Sequence, residues 1–192
     1  MSKFFAIISR MKYINRWGLM RNTITENLSE HSLETAFIAH LLAVLRNKRH
    51  DGNVDAERCA LLAMYHDVAE IITGDLPTPV KYYSKDIKSA YAIVEENAEN
   101  QLLSYLPDDI KNVYSDIIGK KENDKELWTL IKAADKISAL IKCTEELQMG
   151  NRDFEKAHKS TLEAIKALNV PEANEFLEEF MPAYSLTLDE QA

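Results

Sequence analysis

The chain has 192 residues, 46% of them hydrophobic and 28% charged, with a formal net charge of −8 at pH 7. That length can bury one sizeable core, so a single domain over 1–192 is expected. The acidic balance argues against non-specific nucleic-acid binding, no apolar run approaches a membrane-spanning length, and Cys59 and Cys143, both in apolar helical stretches, read as reduced core residues and not as a disulfide framework.

The apolar periodicity is helical nearly throughout, and five Gly and five Pro leave room for few turns. A first helix is predicted over about 3–13. Its start, Met1 to Lys12, has only a short apolar run before charges resume and no small-residue cleavage pattern, so the expected location is the cytoplasm. Residues 1–25 hold Lys3, Arg10, Lys12, Arg16 and Arg21 and no acid, whereas from Glu172 onward there are six acids and no base. From charge alone, a charged surface and a solvated tail are preferred to a ligand site. Residues 14–28, with Asn15, Gly18, Asn22 and Asn27, read as a loop. Ser29 is predicted to cap a helix from about 30 to 47, with Leu33, Phe37, Ile38, Leu41, Leu42 and Leu45 as its apolar face.

His50 to Asn53 forms a turn, and a helix follows from about 55 to 73, stopped by Gly74. Asp75-Leu76-Pro77-Thr78-Pro79 is not helical at its centre, because each proline biases the preceding residue towards extended geometry. Further helices are predicted at about 85–105, 108–118, 125–149, 153–168 and 172–181. Heptad-like apolar stripes on these late helices serve either a dimer interface or the core. No alternating strand pattern occurs, so the fold class is all-α, a single helical bundle.

The chemistry concentrates at His66-Asp67, inside the apolar run from Cys59 to Glu70. Burying both groups is costly unless something compensates them, and a divalent metal does so, since imidazole and carboxylate are both good ligands for first-row transition metals. His31 and Asp135, each within its own apolar helix pattern, complete a candidate set of two His and two Asp. Such a set leaves coordination positions open, as a catalytic metal requires. On a regular helix His66 and Asp67 stand about 100° apart. Glu70 lies one turn further on the same face, where a carboxylate can orient or deprotonate a water. Each position also has a structural reading. A lone buried His is more often a hydrogen-bonded core residue, Asp67 could pair with a Lys, and Asp135 with Lys136. His40, nine residues after His31, falls on nearly the opposite helix face and cannot share a metal with it. His50 and His158 read as exposed.

The pattern His31…His66-Asp67…Asp135 on helices resembles the HD-domain metal-dependent phosphohydrolases. Ile14 to Asn22, Glu26 to Ser32, Ala60 to Asp67 and Thr73 to Lys81 narrow the resemblance to the bacterial 5′-deoxynucleotidases of the HD superfamily, the YfbR-like group. It extends to Lys142–Leu147 and Ser185–Glu190. The resemblance implies that His31, His66, Asp67 and Asp135 hold one divalent transition metal, such as cobalt or manganese. It implies that Glu70 positions or activates the attacking water, that Arg16 orients the phosphate, and that Trp17 sits against the sugar and disfavours a 2′-hydroxyl. Asp75, with Leu76, Pro77 and Thr78, would line the nucleoside side, with His31 and Asp135 also beside the substrate. The implied reaction is hydrolysis of deoxyribonucleoside 5′-monophosphates with little base preference, in a homodimer. Gly18 stands where proline commonly follows the Arg-Trp pair in this group, which makes that loop more flexible.

Arg16 can fork two charge-assisted hydrogen bonds onto a phosphate and cannot lose its proton. Trp17 offers a rigid apolar wall, or alternatively a surface anchor for the first helix. Arg21 and Lys81 are possible helpers at the phosphate. So few basic groups suit a single phosphate better than a polyphosphate. Two alternatives remain at this level: another HD phosphohydrolase acting on nucleoside triphosphates or signalling nucleotides, and a non-catalytic nucleotide-binding helical module.

Overall fold

The computed structural model describes residues 1–81 and 83–192, with the side chain of Thr78 also outside the description. Eleven α-helices are described. Helix α1 (Phe4–Ile8) continues as a 3-10 turn over Ser9–Tyr13, and is followed by α2 (Leu28–Arg49), α3 (Ala56–Met64), α4 (Glu70–Thr73) and α5 (Thr78–Lys81). Then come α6 (Lys85–Ser104), α7 (Asp108–Ile117), α8 (Lys125–Gln148), α9 (Glu155–Ala167), α10 (Pro171–Glu179) and α11 (Leu188–Gln191). The extended pairing among the described residues is one isolated bridge, Asn15 to Asn27, which closes the loop between α1 and α2. Among the described residues no helix is long and apolar enough to cross a membrane.

The long helices α2 and α8 form the centre, with α3, α9 and α10 packed around them. Small residues let the backbones approach: Ala36, Ala39 and Ala43 of α2 and Ala133 and Ala134 of α8 are all buried, among Leu42, Leu62, Leu130, Ile137 and Ile141. At roughly 25 cal/mol per Å² of apolar surface removed from water, this layer dominates the stability. The apolar stripe of α8 therefore goes into the core. A second cluster, Phe4, Met11, Leu28, Val68, Leu102, Leu103, Leu106 and Ile118, joins α1, α6 and the segment after α3, and Tyr65 packs against both clusters. Cys59 and Cys143 are buried free thiols.

Three expectations are corrected. Helix α2 starts earlier than predicted: Asn27, not Ser29, is the cap. Its side chain accepts from Ser29 N and Glu30 N while Glu30 returns a bond to Asn27 N, a complete capping box. The buried face of α2 is also rotated from the predicted one. Leu33 and Phe37 are 49% and 66% exposed, while Ser32, Thr35 and Ala36 are buried. Close packing against α8 selects small side chains at the contact, and the larger ones fall outside it.

The helix predicted over 55–73 is broken. After Met64 the ladder tightens to bonds three residues apart, with Tyr65 N to Leu62 O, Val68 N to Tyr65 O and Glu70 N to Asp67 O, before α4 ends at Gly74 with φ of 74°. His66 and Asp67 therefore sit on a tightened turn, not on a regular helix. In such a turn residues three apart eclipse, so Asp67 and Glu70 share a side.

Candidate metal centre

His31, His66, Asp67 and Asp135 each offer a donor atom, and these atoms lie within 4.8 Å of one another. Three stretches of chain, α2, the turn after α3, and α8, bring them together. His31 is fully buried in the first turn of α2, and its Nδ1 lies 3.0 Å from Ser138 Oγ. Ser138 in turn donates to Glu34 Oε2 at 2.5 Å. A hydroxyl that gives its proton to a carboxylate accepts from the ring, so this network assigns the hydrogen to Nδ1 and a lone pair to Nε2. His66 is held alike, with Nδ1 donating to Ala63 O at 2.7 Å.

The Nε2 atoms of both histidines are buried and make no hydrogen bond among the described residues. His31 Nε2 is 3.2 Å from Asp135 Oδ1 and 3.6 Å from Asp67 Oδ2, and His66 Nε2 is 3.0 Å from Asp67 Oδ2. These atoms are close but not aligned for proton sharing. Lone pairs and carboxylates that converge without bonding each other fit a divalent cation between them, and the His/carboxylate set suits a first-row transition metal.

The carboxylates favour positive charge at this point, a proton on His66 or a cation in its place. Burial opposes a charge on His66, but Asp67 outweighs it and pushes the imidazole up to about 9. Burial also works against ionised Asp67 and Asp135, yet the two histidines hold Asp67 well below the usual carboxylate range and bring Asp135 down to about 2. Both carboxylates stay charged and draw positive charge to the cluster.

Glu70 opens α4 beside Asp67. It is 6% exposed, and its Oε2 has no hydrogen-bond partner among the described residues. Burial, then repulsion from Asp67 and Asp75, pushes it up to about 9 against the pull of Lys81 and Arg16. A carboxyl so displaced in a polar cluster is a candidate for proton transfer.

The loop between α1 and α2 supplies the rim. Arg16 Nη2 lies 4.0 Å from Asp135 Oδ1, while Nη1 donates to Glu26 Oε2 at 2.7 Å. Burial disfavours its charge, but Glu26, Asp135, Asp67 and Asp75 outweigh this and keep the guanidinium ionised. Trp17 adopts φ of 61°, a region that costs a bulky residue on the order of 1–3 kcal/mol. Its ring packs on buried Phe154 with centroids 5.3 Å apart. The carboxyl of Asp75 is raised, mainly by burial and also by Asp67, against Arg16 and a hydrogen bond from the Trp17 backbone N–H. Leu76 and Pro77 are half-buried next to it, and the predicted contribution of the Thr78 side chain lies outside the described residues.

Chain-wide comparison agrees with this geometry. The family described as 5′-deoxynucleotidase YfbR-like matches residues 3–184. The chain belongs to the YfbR-like 5′-deoxynucleotidase family. It is 47% identical over 189 residues to a 5′-deoxynucleotidase of Vibrio atlanticus, covering 98% of this chain and 97% of that one. It is also 47% identical over 190 residues to the 5′-deoxynucleotidase YfbR of Escherichia coli, covering 98% and 95%. Among solved structures, an HD-domain phosphohydrolase from Listeria innocua superposes with a TM-score of 0.82 at 22% identity, over 95% of this chain and 88% of that one. The cyanophage S-2L HD phosphohydrolase DatZ, bound to dA and one catalytic Zn2+ ion, reaches 0.65 at 20% identity over 95% and 96%. The all-α fold is that of the HD phosphohydrolases.

Within this YfbR-like chain the structure gathers His31, His66, Asp67, Asp135, Glu70, Arg16 and Asp75 in one place, with Trp17 adjoining. Asp135 faces His31 and Arg16. His40 is exposed, away from the cluster. Lys81 donates to Glu95 Oε1 at 2.7 Å and lies near enough to feel Glu70 and Asp67. Arg21 is not drawn into the cluster: it forks onto Asp153 through two bonds of 2.7 Å, with 87% of its side chain exposed. His158 is half-buried, not exposed, and lines a surface groove of about 430 Å³ between α8, α9 and α10. Sequence reasoning missed Ser138, Glu34 and Glu26. Two of them carried a signal, since Ser138 follows Asp135 and Glu34 follows His31 by one helical turn.

Proposed function

We propose that this chain, as one domain over residues 1–192, hydrolyses deoxyribonucleoside 5′-monophosphates to the deoxyribonucleoside and inorganic phosphate. The observation that carries the reading is one anchored guanidinium at the edge of a two-His, two-Asp cluster, Arg16 Nη2 lying 4.0 Å from Asp135 Oδ1. A single guanidinium at the cluster suits one phosphate better than a polyphosphate. The family and the names of the relatives support the same reaction.

His31, His66, Asp67 and Asp135 would hold one divalent transition metal, cobalt or manganese in an assay, which supplies charge neutralisation at the phosphoryl oxygens and lowers the pKa of water. The zinc in the cyanophage neighbour supports a divalent ion. Nη1 of Arg16 stays on Glu26 while Nη2 meets the phosphate. Glu70 would position the attacking water and, once a cation in the neighbouring cluster offsets the repulsion from Asp67 and leaves the carboxyl ionised, take the water's proton and pass it to the departing 5′-oxygen. Trp17 presents its indole to the deoxyribose. A 2′-hydroxyl buried there loses water without gaining a partner, at a cost of roughly 1–3 kcal/mol. Asp75, Leu76 and Pro77 line the nucleoside side, beside His31 and Asp135.

The protein acts in the cytoplasm, in keeping with its two buried free thiols, and as a homodimer. Helices α2 and α3 pack together and leave Leu33, Phe37, Leu61 and Met64 exposed, which supports self-association. Sedimentation is expected to give a dimer that Phe37→Asp weakens, and an unchanged monomer in both would overturn that assignment.

The test of the reaction is phosphate release after chelation and re-addition of cobalt, manganese, magnesium or zinc. The panel holds deoxyribo- and ribonucleoside 5′-monophosphates, 3′-monophosphates and triphosphates. Release confined to deoxyribonucleoside 5′-monophosphates is expected. Release from triphosphates instead, or none from any nucleotide with metal bound, overturns the reading.

A further inference from the structure

Arg16 and Trp17 are consecutive, and in an extended chain consecutive side chains point to opposite sides. Here they stand on the same side, with the Arg16 guanidinium carbon 6.0 Å from the Trp17 ring centroid. Two features make this possible. Trp17 takes the left-handed conformation, φ 61°, which reverses the chain direction locally. A single atom, Glu26 Oε2, then accepts both Arg16 Nη1–H at 2.7 Å and Trp17 Nε1–H at 2.8 Å. The carboxylate is sunk in the fold, with 11% of its side chain exposed against 12% for Arg16. The Glu26 backbone carbonyl also accepts from Arg16 N at 3.0 Å, and the Asn15–Asn27 bridge closes the same loop.

We propose that Glu26 is a positioning residue that locks Arg16 and Trp17 into one rigid unit, and thereby sets how sharply the site separates deoxyribose from ribose. The inference rests on the reading of Trp17 as the sugar wall and Arg16 as the phosphate clamp. Glu26 is outside the four-donor cluster and bonds Arg16 and Trp17. It acts because an indole wall discriminates only if it cannot yield. With its N–H free, the indole can turn about its side-chain bonds away from a 2′-hydroxyl. Sharing one oxygen couples the two donors: a shift of the guanidinium on the phosphate carries to the indole through a single carboxylate. The Trp17 carbonyl accepts from Met20 N at 2.8 Å and from Asn22 Nδ2 at 3.3 Å, and the ring packs on Phe154, so the hydrogen bond to Glu26 is what fixes the polar edge of the indole.

The experiment is a comparison of kcat and KM for a deoxyribonucleoside 5′-monophosphate and its ribo counterpart, on the metal-loaded protein. Wild type, Trp17→Ala, Glu26→Ala, Glu26→Asp and Glu26→Gln are compared, with bound metal quantified in each. Glu26→Ala and Glu26→Asp, which remove the oxygen or withdraw it by one methylene, are expected to cut the deoxy-to-ribo ratio of kcat/KM about tenfold. The change appears mainly in KM, with metal content unchanged. Glu26→Gln keeps an acceptor oxygen at the same reach and is expected to retain most of the ratio. If Glu26→Ala does not fold, Glu26→Asp carries the decision. A wild-type ratio in Glu26→Asp, beside a collapsed ratio in Trp17→Ala, overturns the proposal and leaves the sugar-wall reading standing. No deoxy preference in the wild type, or none lost in Trp17→Ala, removes the reading on which the proposal rests and the proposal with it.

Discussion

Ser138 is the residue whose importance depends most on a single hydrogen. It receives the Nδ1–H of His31 and gives its own to Glu34, so it decides which imidazole nitrogen faces Asp67 and Asp135. Partners of metal-binding histidines typically contribute 10–100-fold to metal affinity or activity. Ser138→Ala is therefore expected to weaken cobalt binding by about tenfold or more, read by chelator competition. Affinity equal to the wild type would show that packing alone orients the ring. Glu70 makes a different prediction. Its buried carboxyl lies next to the cluster, and removal of a proton-transfer group usually costs 10²–10⁴-fold, as an order of magnitude. Glu70→Gln should lose about that much in kcat while holding its full complement of metal. A parallel loss of metal would instead make Glu70 part of the ligand set.

At the scale of elements, the loop that carries Arg16 and Trp17 is held from below by α8. Glu146, 1% exposed, accepts from Thr23 N, Ile24 N and Asn151 Nδ2 and is paired with Lys142, which also donates to the Ile24 carbonyl. Burial pushes its carboxyl up, but Lys142, Asn151 and the two backbone N–H groups outweigh burial and bring it down from 4.5 to about 2. A carboxyl depressed in the folded state binds protons more readily when unfolded. Its stabilising contribution is therefore complete above about 4.5 and is lost as the pH falls towards about 2. Thermal melts of wild type and Glu146→Gln should differ at neutral pH and converge through that window, and parallel curves would assign the acid sensitivity elsewhere. The broken helix after Met64 belongs to this scale too. Periodicity shows an apolar run continuing through His66 and Asp67, because a tightened turn buries nearly the same residues as a regular one. What it cannot show is that the ladder shifts to bonds three residues apart, with His66 Nδ1 also donating to Ala63 O.

For the whole molecule, the four donors come from positions 31, 66, 67 and 135 and tie α2, the turn before α4, and α8 to one point. An ion bound there binds only the folded chain, so it stabilises by mass action, about 2.7 kcal/mol when free metal is at a hundredfold excess over its Kd. Chelation is expected to lower the midpoint of thermal unfolding, and re-addition of cobalt or manganese to restore it. Asp67→Ala should melt at the same temperature with and without metal. A wild-type midpoint indifferent to chelation would mean that the four side chains do not bind an ion tightly.

The sequence by itself determined the helical class, most helix limits and the candidate donors. Helical periodicity is a local property, and an ionisable residue in an apolar run stands out without knowledge of its neighbours. It also marked Glu70, one turn from Asp67. Only the tertiary structure decided which face of α2 is buried, since close contact with α8 favours Ala36 and Ala39 over Leu33 and Phe37. It alone withdrew Arg21 to Asp153 and placed Ser138 against His31 across 107 residues of chain. The hydrogen bonds that orient a ring or anchor an indole join positions far apart in sequence, and their partners are fixed only when the helices pack.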